Sequence, residues 1–366
     1  MEQNLHWSIL RKRGKKMLNI SKLIVNRVLL ATMLLAIGAQ GFAQGLPNPY
    51  RTVPGWAKFS DGRQMGAVGD VAIDPDGKHV WAVVRCDAPR ANFGYECVDS
   101  DLDPILKFDP DGNLVDSFGA GLFIWPHGLD VDSEGNVWVT ESVRRDRLPA
   151  GDPRAHQVIK FSPTGEVLMV LGTPGEEGSS NNHFTSPSDV VIGDNGDIFV
   201  ADGHNNDGNN RVMKFASDGT FIKSWGKTGY APGEFRALHT IAIDNEGKVY
   251  VGDRSNSRVQ IFDQEGQFLA VWTQFGRPSG ISFDQIGNIF VADSESDNIE
   301  NPGWEMGIRI GDAKSGWVNY MILTPYADPS VVSGVGAEFV AVDAEGNMYG
   351  GEPMGRNIQK YIRVRP

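Results

Sequence analysis

The sequence predicts an all-β fold, a six-bladed β-propeller with four antiparallel strands in each blade. The main observation is a repeat in which alternating apolar residues lead into an acidic turn and a glycine. It occurs six times, with its glycines at Gly77, Gly135, Gly196, Gly247, Gly287 and Gly346. The copies are 40 to 61 residues apart, a spacing typical of propeller blades. In addition, no stretch after residue 44 keeps a helical period of apolar residues.

Each predicted blade is built from hairpins around these glycines. Alternating β-branched and aromatic residues follow the glycine, as in residues 79–84 and 198–202. Such runs beside an Asp-x-x-Gly turn predict a β-hairpin, in which glycine supplies the positive φ. A third strand with its own turn and a fourth strand follow most pairs, as in residues 213–219 and 221–226.

The ring is expected to close where the two ends of the propeller meet. Residues 56–59 are predicted to complete the last blade beside residues 359–362, which would leave no free sheet edge there. Because the repeats depend on one another around one ring, residues 45–366 are predicted to form a single domain.

The first 44 residues predict a cleaved signal peptide. Seven basic residues precede or flank an apolar run at residues 28–39, and small residues surround Ala43, where cleavage is expected. The apolar run is shorter than a membrane span requires. An uncleaved anchor is the alternative, and Met17 is an alternative start. The mature protein is expected to be secreted or periplasmic, from a bacterium.

Charge excludes several partners. Without residues 1–44, 27 basic residues face 45 acidic ones, and the net charge falls from −12 to about −18. Such a surface repels phosphate backbones and anionic membranes, so no nucleic acid and no membrane partner is expected. No coiled coil or partner helix is recognisable, and the protein is expected to be a monomer acting on a small molecule or a peptide C-terminus.

The two cysteines, Cys86 and Cys97, are predicted to form a disulfide. Two nearby thiols in an exported chain most simply pair with each other, and a metal site made only of cysteines needs more than two thiolates. Closing this short loop is expected to stabilise the fold by about 2–3 kcal/mol.

A candidate metal site follows from the repeat register. One position lies eight residues before each repeat glycine, and it is occupied in turn by Gly69, His127, Ser188, His239, Ser279 and Glu338. In a propeller the innermost strands line a central channel, so equivalent positions converge. His127, His239 and Glu338 belong to the second, fourth and sixth blades, and three such ligands suit a catalytic zinc, or iron(II). The alternative is that each histidine fills a polar position and bonds to the backbone.

Further candidates lie at the ends of strands near the same face. Arg85 and Arg254 could clamp a carboxylate, and the alternative for each is an ion pair between blades. His204 is a candidate general base, because its ordinary pKa is near neutrality, or else simply a loop residue. The other histidines of the mature chain, His79, His156 and His183, are expected at the surface.

These residues carry a resemblance to a known family. Over about residues 50–364 the repeats resemble the NHL-repeat propellers. Residues 126–129, Asp202-Gly203, residues 232–239 and residues 253–260 are similar to the peptidyl-α-hydroxyglycine α-amidating lyases. The resemblance implies cleavage of the N–Cα bond of a C-terminal α-hydroxyglycine, giving a peptide amide and glyoxylate. It also implies that His127 and His239 bind a zinc that holds the substrate hydroxyl, and that Arg85 and Arg254 are site arginines.

Two positions depart from that family. Its third zinc ligand is a histidine followed by aspartate, whereas this chain has Glu338-Phe339, which removes a carboxylate from the structural calcium site of the family. Its proposed base is a tyrosine after Asp-Gly, whereas this chain has His204.

An exported metal-dependent lyase acting on an α-hydroxyglycine-type substrate is therefore the favoured function. A non-catalytic NHL propeller that binds a protein or a glycan is the first alternative, since one fold hosts many functions. A calcium-dependent lactonase-type hydrolase is the second, although His127 and His239 are unlike the oxygen ligands of such sites.

Overall fold

Six four-stranded antiparallel sheets make up the part of the chain that the computed structural model describes, residues 45–60, 62–86, 94–324 and 336–364. All six sheets belong to the compact unit that begins at residue 47. The six-bladed propeller predicted from the repeats is confirmed.

The sheets follow one another along the chain. Blade one contains β2 (Ala67–Ile73), β3 (Val80–Arg85), β4 (Ile105–Phe108) and β5 (Leu114–Phe118). Blade two contains β6 (Pro126–Val131), β7 (Val137–Glu141), β8 (Val158–Phe161) and β9 (Val167–Leu171). Blade three contains β10 (Pro187–Ile192), β11 (Ile198–Asp202), β12 (Arg211–Phe215) and β13 (Phe221–Trp225). Blade four contains β14 (Leu238–Ile243), β15 (Val249–Asp253), β16 (Arg258–Phe262) and β17 (Phe268–Trp272). Blade five contains β18 (Pro278–Phe283), β19 (Asn288–Asp293), β20 (Gly307–Asp312) and β21 (Val318–Leu323). Blade six contains β22 (Phe339–Val342), β23 (Met348–Glu352), β24 (Asn357–Arg363) and the N-terminal strand β1 (Tyr50–Val53).

The repeat turns explain why each blade folds locally. In blade two the carboxylate of Asp132 accepts hydrogen bonds from the backbone N–H groups of Glu134 and Asn136, and Gly135 takes a φ of +82°. The same carboxylate accepts the indole N–H of Trp138, which ties the turn to the second strand. The turn therefore fixes both the hairpin and the position of a large aromatic ring.

One aromatic ring from the second strand of every blade fills the space between sheets. All six are at most 1% exposed: Trp81, Trp138, Phe199, Tyr250, Phe290 and Tyr349. Their regular placement gives the propeller a ring of apolar clusters between neighbouring blades.

The innermost strands β2, β6, β10, β14, β18 and β22 contact one another around the channel. Three aspartates on these strands link consecutive blades, each accepting a backbone N–H from the next inner strand. The pairs are Asp70 with Leu129 at 2.8 Å, Asp130 with Ile192 at 2.8 Å, and Asp189 with Ile241 at 2.9 Å. Side-chain positions on neighbouring inner strands are thereby held in register at the axis.

Strand β1 closes the ring by pairing with β24, from Tyr50 opposite Arg363 to Val53 opposite Lys360. Closure within the last blade is as predicted, but the prediction that residues 56–59 supply the closing strand is wrong. A turn at Gly55, with a φ of +62°, ends β1 before that segment. Trp56 leaves the sheet and packs its buried indole between blades one and six, where burying an aromatic surface outweighs further strand pairing.

The remaining expectations on architecture have mixed outcomes. The Cys86–Cys97 disulfide is present, with Cα atoms 5.3 Å apart. His156 is fully buried, so the expectation that it lies at the surface is wrong. The described residues contain no helix with the length and apolar character needed to cross a membrane. The signal peptide predicted at residues 1–44 lies outside the described residues and stays a prediction.

Candidate metal centre

His127, His239 and Glu338 converge at one end of the channel, as the repeat register predicts. His127 lies on β6, His239 lies on β14, and Glu338 directly precedes β22. Oε1 of Glu338 is 3.2 Å from Nε2 of His239 and 3.7 Å from Nε2 of His127. The centroids of the two imidazole rings are 4.8 Å apart, and both rings are fully buried.

The serines at the intervening repeat positions orient the two histidines. Nδ1 of His127 lies 2.7 Å from the carbonyl oxygen of Ser188, and Nδ1 of His239 lies 2.6 Å from that of Ser279. A carbonyl can only accept, so each Nδ1 carries the proton and each Nε2 presents a lone pair to the centre. Each histidine therefore bonds to the backbone through Nδ1, as the alternative in the sequence analysis states. Its Nε2 remains available to bind a metal.

His204 joins this cluster from the loop that follows β11. Its ring centroid is 4.6 Å from that of His127, 5.0 Å from that of His239 and 5.1 Å from that of Trp125. One ligand atom from each of His127, His204, His239 and Glu338 can be chosen so that all four lie within 4.8 Å of one another. Sequence reasoning selected His204 as a base and missed its place in this set, because a loop residue has no repeat position.

Protonation of the cluster follows from burial and from one arginine. Burial lowers the pKa of His127 and His204, and burial together with Arg254 lowers the pKa of His239 to about 3. Burial alone would raise the pKa of Glu338, but Arg85 and the histidines hold it well below its usual range. The result is three neutral imidazoles around one carboxylate.

This donor set fits a divalent transition metal. Nε2 of His239 and Oε1 of Glu338 both present lone pairs across 3.2 Å, an arrangement that is repulsive unless a cation or a proton lies between them. Nε2 of His127, Nε2 of His239 and both ring nitrogens of His204 are buried and lack a hydrogen-bond partner. Neutral imidazole and carboxylate are the forms that bind metal, so a bound ion would satisfy Nε2 of His127, Nε2 of His239 and one ring nitrogen of His204.

Arg85 and Arg254 both reach the centre, each already in an ion pair. Nη2 of Arg85 is 3.1 Å from Oε2 of Glu338, and its guanidinium lies 4.4 Å from the ring centroid of Trp125. Nη1 of Arg254 is 3.1 Å from Oε1 of Glu295. The ion-pair alternative for the two arginines is thus realised, with Arg85 pairing with a member of the metal set itself.

Arg277, which sequence reasoning missed, pairs with Glu295 beside Arg254. Nη2 of Arg277 lies 3.1 Å from Oε2 of Glu295, so one carboxylate bridges Arg254 and Arg277. Both residues flank strands of blade five. Neither occupies the position eight residues before a repeat glycine, which the two histidines occupy. A signal was present in the sequence, since Arg277 and Glu295 flank the paired strands β18 and β19 at the same end.

Phe339 occupies the position at which the resemblance places the aspartate of a calcium site. Its ring centroid is 5.6 Å from that of His127 and 5.3 Å from that of His239. The position supplies an apolar floor to the imidazole cluster and no ligand oxygen from its side chain.

Comparison with known proteins agrees with this architecture. The family DUF5128, described as a 6-bladed beta-propeller, matches residues 177–273, which include blades three and four. NHL repeat-containing protein 3 from Homo sapiens is 33% identical over 254 residues, which are 66% of this chain and 66% of that protein.

Two amidating proteins also match. Peptidyl-glycine alpha-amidating monooxygenase B from Xenopus laevis is 34% identical over 263 residues, covering 63% of this chain and 28% of that protein. Peptidyl-alpha-hydroxyglycine alpha-amidating lyase 1 from Drosophila melanogaster is 36% identical over 171 residues, covering 43% of this chain and 29% of that protein. The chain thus spans less than a third of the length of either amidating relative.

Proposed function

We propose that this six-bladed NHL-repeat propeller, a relative of the peptidyl-α-hydroxyglycine α-amidating lyases, is a metal-dependent lyase. Its substrate would be an α-hydroxyglycine-type amide, and its products would be an amide and glyoxylate. The observation that carries the proposal is the convergence of two oriented imidazole lone pairs on the carboxylate of Glu338, beside two buried arginines.

His127, His239 and Glu338 are the proposed ligands of the ion, with zinc favoured and iron(II) as the alternative. When bound there, a divalent cation supplies Lewis-acid polarisation of a substrate hydroxyl. Phe339 keeps the floor of the site apolar, which strengthens electrostatic interactions above it.

The arginines are proposed to orient the substrate carboxylate. Nε of Arg254 is buried and has no hydrogen-bond partner, so it retains a donor for an incoming anion. Arg277 shares Glu295 with Arg254 and also pairs with Glu300 at 3.4 Å, so the donor offered to an incoming anion is the unpartnered Nε of Arg254. An α-hydroxy acid group offers the negative charge and the hydroxyl that such a site recognises.

His204 is proposed to accept the proton of the substrate hydroxyl. The O–H electron pair then forms the carbonyl of glyoxylate, the electrons of the N–Cα bond pass to nitrogen, and nitrogen takes up a proton to become the amide. All atoms of the substrate are recovered in the two products, and no oxidant or reductant is consumed.

Export is also part of the proposal. It is supported by the predicted signal peptide at residues 1–44 and by the Cys86–Cys97 disulfide, since such bonds persist in oxidising compartments.

The direct test is release of glyoxylate and benzamide from α-hydroxyhippurate by the purified protein. Activity is expected to disappear with a chelator, to return with zinc or iron(II), and to be lost in His239→Ala. His183→Ala, which changes a histidine bonded to Ser180 and Asn182 in a surface loop, should retain it. Folded protein without any metal-dependent glyoxylate release would instead favour the non-catalytic binding propeller.

A further inference from the structure

We propose that His204 is an exchangeable fourth ligand of the metal centre, which binds the ion in the substrate-free protein and withdraws when substrate enters. The first half of this statement concerns metal binding alone, and the second half rests on the proposed function. It gives His204 two successive roles, as ligand and then as proton acceptor.

His204 lies close to the other three candidate ligands. A ligand atom of His204 lies within 4.8 Å of those of His127, His239 and Glu338. Atoms bound tetrahedrally to one ion at about 2.0–2.1 Å are about 3.3–3.4 Å apart, so an inward movement of the most separated atoms by about 1.4 Å brings all four into one coordination sphere. A residue acting only as a base for the substrate would not need its ring to be packed directly against both other imidazoles.

His204 lacks the orienting hydrogen bond that the other two histidines have. His127 and His239 are each fixed by a hydrogen bond from Nδ1 to a serine carbonyl. Both nitrogens of His204 lack a partner although both are buried. Leaving buried polar nitrogens without partners is costly, and a bound ion would satisfy one of the two. The absence of an orienting bond explains why the ring can leave again.

The loop that carries the His204 ring has a fixed backbone. The backbone N–H groups of Gly203 and His204 both donate to the carbonyl of Ser186, each at 3.1 Å. At the far end of the loop the side-chain amide of Asn210 donates to the carbonyl oxygens of Asn205 and Gly208. Because the backbone is held at both ends, withdrawal requires only rotation of the His204 side chain.

Coordination number also favours an exchangeable fourth ligand. Four protein donors complete the tetrahedral sphere of a zinc ion, and closed spheres are typical of structural rather than catalytic sites. Withdrawal of His204 returns the centre to three protein ligands and an open position. The freed imidazole is then adjacent to whatever hydroxyl occupies that position.

The experiment counts imidazole ligands directly. The apo protein is loaded with Cu(II), and the number of coordinated imidazole nitrogens is measured by pulsed electron paramagnetic resonance, without and with saturating glycolate as a small α-hydroxy acid. The expected counts are three without glycolate and two with it. His204→Ala and His204→Gln should both give two in either condition.

Metal affinity provides the second readout. Zn(II) titration of the apo protein is expected to give a Kd at least about tenfold weaker in both His204 variants, because loss of even an outer-shell partner costs about 10–100-fold. His183→Ala should bind as the unchanged protein does. Thermal unfolding in chelator identifies any variant that fails to fold, and two substitutions at position 204 guard against that case.

The outcomes separate the two proposals. If the number of coordinated imidazoles falls from three to two but no glyoxylate is released from α-hydroxyhippurate, the proposal of His204 as fourth ligand is supported and the lyase function is excluded. If the protein releases glyoxylate but shows two coordinated imidazoles in both conditions, and the Kd for Zn(II) is unchanged in His204→Ala, then His204 is not a ligand and the lyase function is supported.

Discussion

Arg85 and Glu338 are 253 positions apart in the sequence, and Nη2 of Arg85 lies 3.1 Å from Oε2 of Glu338. Closure of the ring brings blade one beside blade six and makes this pair possible. The arginine binds one oxygen of the carboxylate and leaves Oε1 facing His127 and His239. It therefore orients a proposed metal ligand as well as neutralising it.

Replacing Arg85 is expected to weaken metal binding. Arg85→Met removes the group that orients Glu338, and loss of such a partner typically weakens metal affinity by about 10–100-fold. Competition titration with Zn(II) measures the change. Arg309→Met is the matched control, since Arg309 is also buried and pairs with Asp293 at 3.1 Å in blade five. Equal Kd values for the two variants would show that Arg85 does not orient the ligand.

Substitutions of Glu338 are expected to differ in stability. Glu338→His removes the acceptor of a buried arginine, and breaking a buried pair costs about 3–5 kcal/mol. Glu338→Gln keeps an amide oxygen within reach of Arg85 and is expected to cost less. In urea unfolding with a chelator present, the free energy of unfolding should be highest for the unchanged protein, lower for Glu338→Gln and lowest for Glu338→His. Adding Arg85→Met to Glu338→His should recover part of the lost free energy of unfolding, because it removes the unpaired buried arginine. A further, additive loss of stability would contradict this interpretation.

Stability is expected to fall with rising pH in part through Asp130. Burial raises the pKa of this aspartate to about 6, above the value of about 3.9 for an unfolded chain. A group with a raised pKa contributes stability that is complete below the unfolded pKa and is lost as pH rises through the folded pKa. Between pH 5 and 7.5 the unchanged protein should therefore lose more stability than Asp130→Asn.

The measurement is the free energy of unfolding in urea at several pH values, compared between protein and variant. Asp218→Asn is the control, because a hydrogen bond from the backbone of Thr220 lowers the pKa of that exposed aspartate and its contribution changes only in more acidic solution. Parallel pH profiles for the unchanged protein and Asp130→Asn would show that Asp130 is ionised over the whole range.

Gly128 is expected to tolerate no side chain. A Cβ at this position would lie 2.6 Å from the carbonyl oxygen of Ser188 and 2.6 Å from Cα of Asp189, both backbone atoms of the next inner strand. Gly128→Ala should cost about 1–3 kcal/mol and weaken metal binding, because the displaced carbonyl orients His127. In Gly193→Ala the nearest atom belongs to the flexible side chain of Asn195, so thermal unfolding should change little. Equal melting temperatures for both variants would contradict the packing argument.

The part of the site that the sequence predicts is the part that shares the repeat register. His127, His239 and Glu338 converge because each occupies the same repeat position at the start of an inner strand, and inner strands have a common axis. The carbonyl oxygens of Ser188 and Ser279 could not be assigned a role in advance, since the serines themselves look like non-ligand residues. Their role depends on a backbone atom that the residue type does not reveal.

Residues on connecting loops were predicted less well. His204 reaches the centre from a connecting loop whose length differs from blade to blade, so no spacing argument places it. The closing strand shows a similar limit. Residues 50–53 and 56–59 both suit a strand, and the choice between them depends on the space available to Trp56 between two blades that are far apart in sequence.

Ring closure also dictates when the centre can come into existence. Of the described strands, β1 is the first to be synthesised and its neighbour β24 is the last, while Glu338 belongs to the blade that both of them complete. A nascent chain that has reached only blade five holds the three histidines of the cluster and lacks the carboxylate. Uptake of the proposed metal is therefore expected to follow synthesis of the whole propeller, so the ion would come from the compartment in which the finished protein resides.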